Sequence, residues 1–163
     1  MPKSVDLSSP ASRREVLRMV DVRDPRPYHA TLREIFDLER AWREGPDSGE
    51  SDEYEQIYVT AFLLFLIGDP ADSYRLYAAK FHTGDMDLGI GFDAHAIFGA
   101  GRHETLQWLA ENGYADERAH LSEWLRAEDP TIEDWAQHTR EYFYSPEGVL
   151  LLDELRPGAC PGG

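Results

Sequence analysis

Helix punctuation constrains this chain more than any other feature. Asp69-Pro70, Asp129-Pro130 and Ser145-Pro146 each place a favoured N-cap residue directly before proline. Proline is at home in the first helical position, because the N–H it lacks would have no intrahelical acceptor there. Ser12 with Glu15, and Thr31 with Glu34, have the spacing of a capping box. Gly68 and Gly113 stand where a left-handed residue would close a helix.

The apolar residues recur at helical spacing. Leu32, Ile35, Phe36 and Trp42 share a face, as do Tyr54, Ile57, Tyr58, Ala61 and Phe65. Further stripes run through Tyr74, Tyr77, Ala78 and Phe81, through Leu121, Trp124 and Leu125, and through Ile132, Trp135, Ala136, Thr139 and Phe143. The segment 54–67 becomes apolar all round at its end, which predicts the central buried helix. Period-2 alternation is scarce. The expected fold is all-α: one compact domain of helical hairpins with six to eight helices, and an irregular Gly/Asp loop near 83–92. Residues 1–27 read as an N-terminal helix or arm, 28–155 as the domain, and 156–163 as a disordered tail. Residues 45–52 read as a flexible acidic linker.

Charge sets the sign of the partners. The 163 residues carry 16 Lys plus Arg against 31 Asp plus Glu, a formal net charge of -15. Such a surface repels phosphate backbones and anionic lipid, so neither nucleic acid nor a membrane is expected as a partner. The acidity is uneven: residues 1–43 hold nine basic and seven acidic side chains, and residues 44–163 hold seven and 24. The longest apolar run, Ala61 to Ile67, is seven residues, whereas a membrane span needs roughly 18–20. Cys160 is the one cysteine, so no intrachain disulfide is possible. With no apolar signal segment after Met1, a cytoplasmic location is expected. Arginine outnumbers lysine 14 to 2, a bias typical of GC-rich bacterial genomes.

The candidate chemical motifs are incomplete. The stretch from His82 to His95 gathers Asp85, Asp87 and Asp93 with two imidazoles and three glycines. Oxygen ligands on a Gly-bent loop suit Ca²⁺, but position 6 of the EF-hand pattern is Ile90 and position 12 is Ala96. An Asp-x-Asp phosphatase would need a preceding buried strand. His103-Glu104-Thr-Leu-Gln107 lacks the second histidine of a zinc hydrolase helix. Glu117-Arg-Ala-His120 occurs once, whereas di-iron bundles need that motif twice. Gly99-Ala-Gly101-Arg102 offers bare N–H groups, but Glu104 replaces the last glycine of a dinucleotide loop. No Gly-x-Ser-x-Gly is present, and Cys160 lies in a tail no scaffold holds. No catalytic residue, metal or cofactor is assigned.

His95, Gly101, Leu106, Leu109, Gly113 and Asp116 resemble the key positions of one ankyrin repeat. The opening Thr-Pro-Leu-His is here Phe92-Asp-Ala-His95, and bulky Ile97 and Phe98 replace the usual small pair. No second copy follows, and solenoids need about three repeats. A helix–turn–helix hairpin is therefore the expectation for this stretch.

The leading functional reading is a non-enzymatic acidic module that binds a basic protein, as an immunity-type inhibitor of a basic toxin would. Its expected surface joins Asp47, Glu50, Asp52, Glu53 and Glu55 with Asp85, Asp87 and Asp93, with Tyr54 and Tyr58 as aromatic anchors. The alternative is a small-ligand or metal-binding protein, or a hydrolase, using His82, His95, Arg102 and His103. A third is a structural protein whose N-terminal helix swaps onto a neighbour.

Overall fold

The computed structural model describes residues 5–46, 55–128 and 131–152. They form eight α-helices: α1 (Pro10–Met19), α2 (His29–Glu44), α3 (Gln56–Ile67), α4 (Ser73–Phe81), α5 (Met86–Gly91), α6 (Arg102–Glu111), α7 (Ala115–Glu128) and α8 (Ile132–Phe143). Short 3-10 turns precede α2 and α4, and a five-residue one spans Ala94–Phe98. The described residues contain no strand beyond one antiparallel bridge, Tyr144 to Leu150. The all-α expectation therefore holds.

Helix α3 is the axis of the fold. Its residues Ile57, Val59, Ala61, Phe62, Leu63 and Leu64 are all buried, which accounts for an apolar sequence on every side of the helix. Helix α2 packs along it most extensively, presenting Leu32, Ile35 and Phe36. The 3-10 turn at 94–98 and α8 also pack against α3. The N-terminal stretch read as an arm contributes Val16, Leu17, Val20 and Val22 to this core. Helix α6 pairs with α7, and Gly113 (φ 87°) makes the turn between them. Tyr114 N–H closes back on the Leu109 carbonyl at 2.9 Å, as in a Schellman ending.

Gly68 closes α3 at φ 72°, as its position predicts. Close packing adds a second reason for glycine nearby. A Cβ on Gly99 would lie 2.5 Å from the Phe65 carbonyl oxygen. The Ala94–Phe98 turn can therefore reach α3 only because its next residue lacks a side chain.

Several start signals act differently from the expectation. Helix α1 is capped by Ser9, which exchanges side-chain bonds with Ser12; Ser12 is the third helical residue rather than the cap. Thr31 lies inside α2, whose first turn grows out of the 3-10 turn at 26–28. Asp69 accepts from Ala71 N–H as a cap, but of a 3-10 turn that leads into α4. Ser145-Pro146 opens a reverse turn and no helix. Ser145 Oγ accepts from Val149 N–H at 3.0 Å, and Ser145 N–H donates to the Val149 carbonyl at 2.8 Å. The 83–92 stretch holds helix α5, because Asp85 accepts from Leu88 N–H at 2.9 Å and starts it. Asp129-Pro130, most of the 45–52 linker, and the 156–163 tail lie outside the described residues.

Candidate functional site

A cleft of about 560 Å³ opens between the start of α3, the end of α5 and one face of α8. From α3 come Glu55, Tyr58 and Ala61; from the α5 end, Gly91, Phe92, Asp93 and Ala96. From α8 come Trp135, His138, Thr139, Tyr142 and Phe143. The α8 residues fall at i, i+3, i+4, i+7 and i+8, so one helical face supplies them. Phe92 and Phe143 are buried, while Tyr58, Trp135 and Tyr142 are half-buried.

The cleft is fixed by a few specific contacts. Trp135 Nε1–H donates to Asp93 Oδ2 at 2.9 Å and ties α8 to the segment after α5. Thr139 Oγ1–H is committed to the Trp135 carbonyl at 2.7 Å. Tyr58 packs against Phe92 with ring centres 6.3 Å apart. The buried Arg43 guanidinium lies 5.1 Å from the Tyr58 ring centre. A Cβ on Gly91 would collide with the Tyr58 hydroxyl, so glycine there lets the tyrosine sit against backbone.

The two carboxylates in the lining come from opposite sides. Among the described residues, the lining includes Glu55 and Asp93 and neither Lys nor Arg. Burial pushes the Glu55 carboxyl above the ordinary glutamate range, and the Arg43 charge partly offsets this. The folded chain thus holds the Glu55 proton to higher pH than the unfolded chain does. The stability tied to that proton is complete below the unfolded pKa and is lost as pH rises through the folded one. Glu55→Gln is expected to be more stable than the wild type at pH 7, with the difference shrinking toward pH 4. Urea midpoints at the two pH values check this, and a difference constant with pH would contradict it.

Two of the remaining acidic positions belong to the start of α5. Asp85 caps α5, and Asp87 is exposed in its first turn. On the same helix Met86 is 77% exposed and Ile90 74% exposed. Asp47, Glu50, Asp52, Glu53 and Tyr54 lie outside the described residues.

His82, His95, Arg102 and His103 do not come together. His82 ends α4 and faces the Tyr77 ring at 5.3 Å. His95 stacks on Trp135 at 5.7 Å and meets Trp124 edge-on at 5.2 Å. Burial lowers its imidazole pKa, with Asp93 opposing the shift. Arg102 pairs with Glu133 at 3.1 Å, and His103 is exposed on α6. No shared geometry for metal binding or nucleophile activation results.

Sequence reading missed two polar groups. In the first, buried Glu39 accepts from Arg13 Nε and from Gln56 Nε2, each at 2.7 Å. In the second, buried Asp72 accepts from Arg33 Nε at 2.6 Å, Arg75 Nη1 at 3.1 Å and His29 Nε2 at 2.7 Å. His29, Asp69 and Asp72 are close enough together to hold a metal ion. However, Arg33 bridges both carboxylates, reaching Asp69 Oδ2 at 3.1 Å. A metal would have to displace a guanidinium already bonded there, so the group reads as an ion-pair network joining α2 to α4.

No family model, curated protein or solved structure matches this chain. Among the described residues the cleft lining includes no serine or cysteine, and its one threonine hydroxyl is bonded to backbone.

Proposed function

We propose that this chain is a non-enzymatic binding module for a basic protein, an immunity-type inhibitor being one form of it. The observation that carries the reading is the α5 surface. Met86 and Ile90 are one turn apart on one helix face and are largely exposed. Acidic Asp85 and Asp87 flank them, and the cleft with Glu55 and Asp93 follows directly. An exposed apolar pair rimmed by like charge is the pattern of an interaction surface. Methionine there adapts to a partner's shape. The acidic rim would speed encounter with a basic partner, and the apolar and aromatic groups would hold it.

The test uses the whole chain as bait, with mass spectrometry of captured proteins and titration of the purified pair. A variant carrying Glu55→Gln, Asp85→Asn, Asp87→Asn and Asp93→Asn keeps the α5 cap, because Asn caps as Asp does. The expected result is a basic partner bound by the wild type, at least about tenfold more weakly by the variant, and more weakly as salt rises. Met86→Ser with Ile90→Ser should weaken the same pair without changing its salt dependence. A partner bound equally by the wild type and both variants, or no basic partner at all, would overturn the reading.

A further inference from the structure

We propose that the cleft seats a cationic side chain, a lysine or arginine of the basic partner, between its aromatic rings and its two carboxylates. The inference rests on the binding reading above and names the chemistry of the contact.

The cleft meets the requirements of a cation site. Open aromatic surface attracts a cation through the ring quadrupole, most strongly where water is excluded. Trp135 and Tyr142 lie on the same face of α8, with Tyr58 across from them on α3. Trp135 cannot turn its ring freely, because Asp93 holds its Nε1–H. That bond is made to Asp93 Oδ2 at 2.9 Å. Asp93 is itself exposed. Glu55 is half-buried on the opposite side, and a cation would favour its charged form. The described lining includes two acids and neither Lys nor Arg, and the nearby buried Arg43 guanidinium stands 5.1 Å from the Tyr58 ring centre and offsets part of the Glu55 charge. A volume of about 560 Å³ admits a long side chain with part of its backbone. A neutral aliphatic chain would gain the apolar contact but would leave the half-buried Glu55 with Arg43 as its counter-charge and no cation in the cleft.

The experiment titrates the full chain with five-residue glycine peptides that carry one central lysine, arginine, norleucine or glutamate. The readout is the indole N–H resonance of Trp135, assigned among the four tryptophans as the peak missing from Trp135→Phe. The lysine or arginine peptide is expected to shift that resonance saturably, and to bind about tenfold tighter than the norleucine peptide. The glutamate peptide should bind more weakly than the norleucine peptide. Glu55→Gln and Asp93→Asn should each weaken the cationic peptide several-fold and leave the norleucine peptide unchanged. Norleucine binding as tightly as lysine, or cationic binding indifferent to both variants, would overturn the cation site. Butylammonium binding as tightly as the lysine peptide would also overturn the proposal, because the cleft would then serve a free amine. Comparison of two double variants in partner capture separates this inference from the reading beneath it. If Asp85→Asn with Asp87→Asn abolishes capture while Glu55→Gln with Asp93→Asn does not, the binding module stands and the seated cation falls.

Discussion

Glu39→Ala is expected to destabilise the chain by about 3–5 kcal/mol, the cost of breaking a buried ion pair on one side. Glu39 is fully buried and Arg13 is 3% exposed. The carboxylate accepts from Arg13 Nε and Gln56 Nε2 together. Arg13 donates elsewhere to the Leu7 carbonyl at 2.9 Å. Gln56 Nε2 also reaches the Pro10 carbonyl at 3.0 Å, and Gln56 Oε1 accepts from Arg14 at 2.9 Å. Alanine would therefore leave a guanidinium in the core with one neutral acceptor and no counter-charge. It would also loosen the junction of α1, α2 and α3 at once. At this chain length the loss corresponds to a fall in Tm of roughly 6–20 °C. Urea denaturation of the single and double variants checks it. Arg13→Met combined with Glu39→Leu should recover most of the loss, since apolar replacement of both partners removes the unpaired charge. A Glu39→Ala cost below about 1 kcal/mol would show that the pair behaves as a surface pair does.

The sequence showed where the helices lie more clearly than what their buried faces carry. Leu32, Ile35 and Phe36 were legible as a core stripe because their spacing is helical. The same stripe continues to Glu39 and Arg43, which are also buried. Charged residues at those positions look like the end of the apolar face, yet Glu39 pairs with Arg13 inside it and Arg43 lies over the Tyr58 ring. Trp42, placed on that face by its chemistry, is only half-buried. Helix caps were ambiguous for a related reason. A serine or aspartate oxygen satisfies a nearby N–H equally well in a helix start, a 3-10 turn or a reverse turn. Hence Asp85 starts a helix in a stretch that looked like a loop, and Ser145 closes a turn where a helix start was expected.

The cleft was legible only in half. Glu55 and Asp93 stood out because acids cluster around them, and both line it. Trp135, Thr139 and Phe143 were read as core, since periodicity identifies an inward face but not whether a neighbour fully covers it. His138 and Tyr142 carried no signal of their own, and they take part through their turn of α8. The histidines attracted attention by type and lie apart, because the 94–98 turn and α6 carry them to different surroundings.

Asp72→Ala should be the second most damaging change outside the apolar core, costing about 1.5–3 kcal/mol by the scale of hydrogen bonds to charged groups. Asp72 is 1% exposed and collects three donors from two helices. The cost should stay below that of Glu39→Ala for a specific reason. The Arg33 and Arg75 side chains are 33% and 28% exposed, so both guanidiniums can turn to water once the carboxylate is gone, whereas Arg13 cannot. Arg75 also keeps Asp37 at 2.9 Å, and Arg33 keeps Asp69 at 3.1 Å. Coupling should be visible as non-additivity: Asp72→Ala and Arg33→Met together should cost less than the sum of the two singly. Thermal unfolding with zinc or calcium added then separates an ion-pair network from a metal site. With the carboxylates held by arginine, neither ion should raise the wild-type Tm. A rise that disappears in Asp72→Ala would mean that a metal displaces Arg33, because an ion bound only to the folded state must raise its stability by mass action.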